Sequence, residues 1–237
     1  MNRALLASLA ALILAVVARA DLAPAEQPTP DHRSERIVAA LSLSDPAVSA
    51  QVLEVLSAHA VALRSFHAQH DSDLKKSWAT FTKTRGGKDP VAAAAALSAI
   101  DKIYLEFKPE HDAFLAKLGA KLTPAQVIVV KDRLVEEKAS KYDLTFHTYR
   151  ELFPKLTEAQ SAFIASRLSL ARDEAMDGQS SAEKAMMFKR HKDEIEAYLK
   201  SQGYDVKGAY YEFGQKQLKE KAARPGRDEA EPDKKDP

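Results

Sequence analysis

The residues most able to do chemistry are concentrated between positions 171 and 184, in the run ARDEAMDGQSSAEK. The pattern predicts that one helix ends near Gly178 and that a second begins after Ser180, so charged side chains and exposed backbone amides would meet at the junction. A junction of this kind can bind a polar ligand, although capping of the two helices would place the same residues there. The candidate ligand-binding residues in this run are Arg172, Asp173, Asp177 and Lys184.

Two further candidates, Lys131 and Asp132, lie near the start of another predicted helix, directly after the apolar residue Val130. The spacing to neighbouring apolar residues puts the aliphatic stem of Lys131 on the buried side of that helix. A buried lysine needs an acidic partner, which Asp173 or Asp177 would supply if the two helices pack antiparallel. A lysine whose amine extends to solvent would explain the pattern equally well.

Paired carboxylates raise the question of catalysis. Asp173 and Asp177 are four residues apart on one predicted helix face, a spacing that would suit the acid and base of a glycosidase-like hydrolase. Acidic pairs with this spacing are also common on solvated helix faces. The hydrolase is therefore an alternative, and the favoured prediction is a non-enzymatic protein with no assigned catalytic residue.

Three histidines share a long predicted helix, and His67 with His70 could ligate a metal ion together with Asp71 or Asp73. His59 continues the apolar stripe of the same helix, which is typical of a histidine at the edge of a core. The paired Glu-x-x-His motifs of di-iron bundles and the His-Glu-x-x-His motif of zinc proteases are both missing from the sequence. No metal site and no cofactor is predicted.

Composition restricts the remaining classes of function. The chain has no cysteine, which excludes thiol catalysis, cysteine-ligated metals and disulfide bonds.

Residues 1–20 combine Arg3, an uncharged apolar run and the ending Ala18-Arg19-Ala20. This pattern is typical of a cleaved secretory signal, with an uncleaved anchor as the alternative. Cleavage would leave 33 basic and 34 acidic residues, so neither nucleic acid nor an anionic membrane is a predicted partner. We expect a protein in the periplasm or outside the cell, without a membrane span after cleavage. The sequence does not indicate its oligomeric state.

Hydrophobic periodicity predicts helices throughout and no strand, hence an all-α helical bundle of about seven helices joined by short loops. An interruption is expected near Asp71 in the second helix, and a kink or break at Pro109 in the third. A single domain is predicted over 31–222, between a proline-rich linker at 21–30 and a disordered tail at 223–237. The predicted helices span about 31–42, 46–84, 90–119, 124–153, 158–176, 181–202 and 206–221.

Two of these helices begin with the same motif, Leu-Thr-x-x-Gln, at Leu122 and again at Leu156. In each copy the threonine is the predicted N-cap and the glutamine closes a capping box on its backbone. The copies are 34 residues apart, which is the length of a tetratricopeptide repeat. That repeat needs two helices in the interval, whereas one long helix is predicted there, so a repeat architecture is not favoured.

From about Leu43 to Asp205 the chain resembles an exported bacterial family of unknown function that is described as sugar-binding. The resemblance implies export, a helical fold and a saccharide or other polar small molecule as the ligand. Because sugar sites usually offer an aromatic platform, Tyr204 joins the candidate ligand-binding residues, with Trp78, Tyr210 and Tyr211 as other possible platforms. The motifs that carry the resemblance are Leu122-Thr123-Pro124-Ala125-Gln126-Val127, Val130-Lys131-Asp132, Thr148-Tyr149, Leu156-Thr157-Glu158-Ala159-Gln160, the 171–177 and 180–184 runs, and Gly203-Tyr204-Asp205.

The doubled Leu-Thr-x-x-Gln motif is also similar to that of periplasmic helical chaperones and stress adaptors. Those proteins are shorter, usually basic and open in shape, whereas this chain is nearly neutral and rich enough in apolar residues to enclose a core. A chaperone or stress adaptor is therefore the prediction ranked second, directly after a ligand-binding protein and ahead of the hydrolase.

Overall fold

A computed structural model describes residues 32–136 and 139–223 of the chain. The predicted signal at 1–20, the linker at 21–30 and nearly all of the predicted tail lie outside the described residues.

The described residues form eight α-helices and no strand, which confirms the all-α prediction. The count exceeds the predicted seven because the segment from 124 to 153 contains two helices. The helices are α1 (His32–Leu41), α2 (Pro46–Thr84), α3 (Pro90–Gly119), α4 (Pro124–Val135), α5 (Lys141–Leu152), α6 (Glu158–Ala175), α7 (Ser181–Ser201) and α8 (Val206–Ala223).

The prediction of one helix from Pro124 to Phe153 is wrong, because α4 ends at Val135 and a second helix, α5, begins at Lys141. Glu136 ends α4 in an extended conformation, with φ −148° and ψ 132°. Ser140 then begins α5, and its hydroxyl accepts a hydrogen bond from the amide of Asp143 at 3.1 Å. A serine followed by an acidic residue three positions later is a helix start, and this signal outweighs the helical periodicity that continues through the segment.

The interruption predicted near Asp71 in the second helix is absent, and the third helix has no break at Pro109. α2 continues through Asp71, and α3 continues through Pro109. Phe107 and Phe114 are both buried on either side of this proline, so core packing holds the helix together where one backbone hydrogen bond is missing.

Both Leu-Thr-x-x-Gln motifs begin helices, as predicted. The Thr123 hydroxyl accepts from the amide of Gln126 at 3.3 Å, and the Gln126 side chain accepts from the amide of Thr123 at 2.9 Å. The Thr157 and Gln160 pair repeats this capping box, with distances of 3.2 and 2.9 Å. Each box satisfies two amides that the helix itself leaves unpaired.

One hydrophobic core receives buried residues from all eight helices. Within it α2 packs along α3, α6 packs along α7, and α4 contacts α6. By length and composition α2 is also long and apolar enough to cross a membrane, a test that core helices of soluble proteins pass as well. Its residues Val52, Leu56 and Leu74 are buried in the shared core. The arrangement brings the end of α6 and the start of α7 against the middle of α2 and α3.

Candidate functional site

The centre of the candidate site is Asp177, two residues beyond the end of α6. Turn hydrogen bonds from the amides of Asp177 and Gly178 to the carbonyls of Glu174 and Ala175, both 3.2 Å, fold the chain back toward the core. Asp177 is consequently only 5% exposed. A carboxylate this deeply buried must be compensated by charged or hydrogen-bonding partners.

Two histidines supply that compensation. The Nδ1 of His111 donates to the Oδ2 of Asp177 at 2.6 Å, and the Nε2 of His59 lies 3.4 Å from its Oδ1. Burial by itself would raise the pKa of the Asp177 carboxyl, but His111 and His59 together hold that pKa below its ordinary value of 3.8. The carboxylate is therefore ionised at neutral pH.

The same hydrogen bond acts on His111. Its contact with Asp177 raises the pKa of His111 above the ordinary value of 6.5, against the opposing effect of burial. The Nε2 of His111 has no hydrogen-bond partner among residues 32–136 and 139–223, and the ring lines a surface cleft. One nitrogen is thus anchored in the protein while the other is available to a ligand.

A third histidine, His67, binds the backbone of the same residue. Its Nε2 donates to the Asp177 carbonyl at 2.7 Å, which requires the proton to be on Nε2 because a carbonyl only accepts. His59 stacks on Phe114 with ring centroids 3.8 Å apart, and His67 packs edge-on against Phe66. The aromatic residues hold the imidazole rings in place around Asp177.

A second buried carboxylate, Glu183, joins α7 to α2 and α3. Its Oε1 accepts from the indole of Trp78 at 3.0 Å and from the hydroxyl of Tyr104 at 2.8 Å. Its Oε2 accepts from the amide of Gln179 at 2.9 Å. Burial and the nearby Glu183 charge raise the pKa of Tyr104, so the phenol stays protonated and donates. Glu183 is therefore a structural acceptor with three donors.

The cleft beside His111 lies between α3, α6 and α7 and has a volume of about 270 Å³. Its lining includes the acidic residues Asp173, Glu174 and Asp177 together with Tyr104 and His111. The remaining lining residues are Ile100, Asp101, Leu105, Lys108, Leu170, Met187 and Arg190. Carboxylates, an imidazole and apolar side chains thus line one cavity.

Residues 29–220 match the model of a family described as "Protein of unknown function (DUF3826)". The chain belongs to this family. The match includes every residue of the cleft and all of the helices that form it. No curated protein matches the chain. Membership confirms the resemblance to a family of unknown function and does not by itself identify a ligand for the DUF3826 chain.

Four of the predicted ligand-binding residues form one charged cluster where α4 packs on α6. The amine of Lys131 donates to the Oδ1 of Asp173 at 2.9 Å, the pairing expected from the sequence. Arg172 lies 3.7 Å from the Oδ1 of Asp132 and 5.0 Å above the ring of Tyr142. Of the four, only Asp173 reaches the cleft. The other members of the cluster, which are Lys131, Asp132 and Arg172, lie outside the cleft.

Two predicted residues lie elsewhere. The amine of Lys184 donates to the Leu134 carbonyl at 2.6 Å, and Lys184 lines a different cavity. Tyr204 donates to the Oε1 of Gln160 at 2.9 Å, at the start of α6. Asp173 is 13 residues further along this helix, about 20 Å away. Neither Lys184 nor Tyr204 belongs to the cleft of this DUF3826 protein.

The proposed aromatic platforms are also placed differently from expectation. Trp78 is 8% exposed and donates to Glu183, so it is part of the core and not an exposed surface for a sugar ring. Tyr210 donates to Glu196 at 3.0 Å, whereas Tyr211 is 69% exposed on α8. None of the three lines the cleft beside His111.

Sequence reasoning missed several residues of the site, namely Tyr104, His111, Glu174, Glu183 and Arg190. His111 and His59 occupy apolar positions of their helices, which was the available signal for histidines that face the interior.

The metal hypothesis for His67 and His70 finds no support, because His67 is directed to a backbone carbonyl and His70 lies 3.4 Å from Glu106. The described part of the chain contains no group of three potential ligands arranged around one metal position.

Proposed function

We propose that the cleft between α3, α6 and α7 binds a saccharide or another small polyhydroxylated molecule. The proposal rests on the hydrogen bonding of two carboxylates that line the cleft, those of Asp173 and Glu174. Asp173 and Glu174 each have one oxygen held by a basic side chain and a second oxygen without a hydrogen-bond partner among the described residues. Hydroxyl groups are donors that such ordered acceptors can bind without further rearrangement.

The two carboxylates are fixed by separate partners. Lys131 holds the Oδ1 of Asp173 at 2.9 Å. His191 holds the Oε2 of Glu174 at 2.9 Å, and Arg190 approaches the same atom at 3.5 Å. Within the described ranges, the Oδ2 of Asp173 and the Oε1 of Glu174 have no hydrogen-bond partner.

His111, on α3, supplies a donor to the same cleft. Because its contact with Asp177 raises the pKa of His111, the imidazolium form, which carries a proton on Nε2 as well as on Nδ1, persists to higher pH than in a free histidine. A sugar hydroxyl can accept from this Nε2 while a neighbouring hydroxyl donates to Asp173 or Glu174. A cleft that offers both a donor and acceptors suits a saccharide, because each hydroxyl group can donate and accept hydrogen bonds.

The rim and size of the cleft fit the same ligand class. Leu105 and Leu170 line the cleft and are 65% and 43% exposed, so an apolar C–H face of a sugar ring would cover them. The volume of about 270 Å³ is near the lower end of the range of about 300–1,000 Å³ for small-molecule sites. One or two sugar rings would fill it. With residues 1–20 acting as a secretory signal, binding would take place in the periplasm or outside the cell.

The experiment is a glycan array followed by calorimetric titration of neutral mono- and disaccharides into the protein. Asp173→Asn and Glu174→Gln should each weaken binding about tenfold, because each removes a charged acceptor. Glu212→Gln, an exposed change on α8, is the matched control and should bind as the wild type does. Circular dichroism checks that each variant is folded. Absence of binding to every saccharide, or equal binding by all variants, would refute the proposal.

A hydrolase acting in the same cleft is a second candidate, favoured by the His111–Asp177 contact. Within the pair predicted from sequence, Asp173 with Asp177, the pKa of Asp177 is held low and Asp173 already accepts a hydrogen bond from Lys131. His111 would have to serve as the general acid. Hydrolysis of chromogenic aryl glycosides, lost in His111→Gln and kept in the exposed His147→Gln variant, would support this candidate; no hydrolysis by the wild type would reject it.

A further inference from the structure

A second cavity, separate from the cleft beside His111, lies where α5, α7 and α8 meet the end of α2. It has a volume of about 290 Å³. Its lining is rich in basic side chains, with Lys141 at the start of α5, Lys189 and Lys192 on α7, and Arg85 at the end of α2. The remaining lining residues are Thr145, Ala185, Phe188, Asp193, Glu196 and Tyr210.

Both carboxylates of this cavity are already engaged. Asp193 accepts two hydrogen bonds from the guanidinium of Arg85, one of them 2.8 Å long. Glu196 accepts from the hydroxyl of Tyr210 at 3.0 Å. Four cationic side chains against two carboxylates leave an excess of two positive charges in the lining.

The three lysines have no ionic partner. In the part of the chain that the structure describes, none of them lies within ion-pair distance of a carboxylate. The amine of Lys141 lies 5.5 Å from the centroid of the Phe188 ring, its one recorded partner. Burial lowers the pKa of Lys192, and the charges of Lys189 and Lys141 lower it further, although Glu196 acts against them.

Like charges that line one cavity repel each other, and the two carboxylates of the lining offset only half of the positive charge. An anion between them would remove the repulsion and accept hydrogen bonds from the ammonium groups. We propose that this cavity is an oxyanion site, which binds a phosphate or sulfate group carried by a small molecule. Lys141, Lys189 and Lys192 are its charged contacts, and the site is independent of saccharide binding beside His111.

The probes for the test are inorganic phosphate and inorganic sulfate, titrated calorimetrically into the full chain at constant ionic strength. Saturable binding of either anion is expected. Lys189→Gln and Lys192→Gln should each weaken it about tenfold, because each removes a charged donor. Lys200→Gln changes an exposed lysine of α7 outside the cavity and should leave the affinity unchanged. Preference for one of the two anions distinguishes a phosphate site from a sulfate site.

A second measurement uses the unmodified protein and so does not depend on the folding of variants. Lysine acylation by an N-hydroxysuccinimide ester, read residue by residue by mass spectrometry, should slow at Lys189 and Lys192 when the anion is present. The rate at Lys200 should not change. Lack of saturable heat for both anions, equal affinity of all variants, or acylation at Lys192 that the anion does not slow would each overturn the proposal.

Discussion

The Nδ1 of His111 and the Oδ2 of Asp177 lie 2.6 Å apart, and this contact joins the middle of α3 to the chain just beyond α6. It orients one imidazole nitrogen toward the cleft and compensates a carboxylate that is 5% exposed. The same pair therefore determines both the geometry of the candidate site and part of the stability of the fold.

The stability of the protein should depend on pH through this pair. Because the pKa of His111 is raised on folding, its contribution is fully present below the ordinary value of 6.5 and is lost as the pH rises through the folded value. Because the pKa of Asp177 is lowered, its contribution is present above 3.8 and is lost as the pH falls through the folded value. The pair stabilises the fold most between these two limits.

Urea unfolding of the wild type at about pH 6 and about pH 9 should show a loss of about 1–2 kcal/mol on the alkaline side from this contact. His111→Gln should lack that part of the pH dependence. The control is His147→Gln, since the side chain of His147 is 73% exposed and makes only a helical contact with Glu151. A His111→Gln variant with the pH dependence of the wild type would contradict the assignment.

Local signals in the sequence predicted part of this structure correctly. The capping boxes at Thr123 and Thr157 form as expected, since they depend only on residues three positions apart. The pairing of Lys131 with Asp173 also followed from the need of a half-buried ammonium for an acid. These predictions required only the positions of the residues along their helices and the assumption that the helices of Lys131 and Asp173 pack antiparallel.

Long-range relationships were not predictable in the same way. The spacing of Ser180 and Glu183 indicates only a capping pair, yet the Glu183 carboxylate binds Trp78, which is 105 residues away in the sequence. His111 continues the apolar stripe of its helix, and periodicity does not distinguish an imidazole that packs in the core from one that contacts a carboxylate. Tyr204 was assigned to the site because it belongs to a shared motif, and the chain places it at the opposite end of α6.

The three-donor acceptor Glu183 gives a second prediction. Glu183→Gln preserves the shape of the side chain but replaces one acceptor oxygen by an amide that donates. At least one of the donors from Trp78, Tyr104 and Gln179 then loses its acceptor, and the first two of these donors are partly buried. The free energy of unfolding should fall by about 2 kcal/mol. The fluorescence of Trp78, the single tryptophan of the chain, reports the unfolding.

The matched control for this change is Glu54→Gln on the exposed side of α2. It should alter the free energy of unfolding by less than about 0.5 kcal/mol, as surface substitutions usually do. If Glu183→Gln were as mild as Glu54→Gln, the three hydrogen bonds would not be a significant source of stability.

Two glycines near the C-terminal helices should respond to alanine with opposite signs. Gly203 ends α7 with φ +88°, and the amide of the next residue, Tyr204, donates to the Leu199 carbonyl at 3.1 Å. An alanine there is strained in the left-handed region, so Gly203→Ala should destabilise the protein by about 1 kcal/mol.

Gly214 lies inside α8, and a Cβ atom added there meets no atom within 4 Å. Gly214→Ala should stabilise the protein by up to about 1 kcal/mol, because alanine favours the helix and restricts the unfolded chain. Urea unfolding of both variants and the wild type measures the two changes in the free energy of unfolding. Changes of the same sign would show that the backbone conformation at Gly203 or the helical packing of α8 differs from the one described.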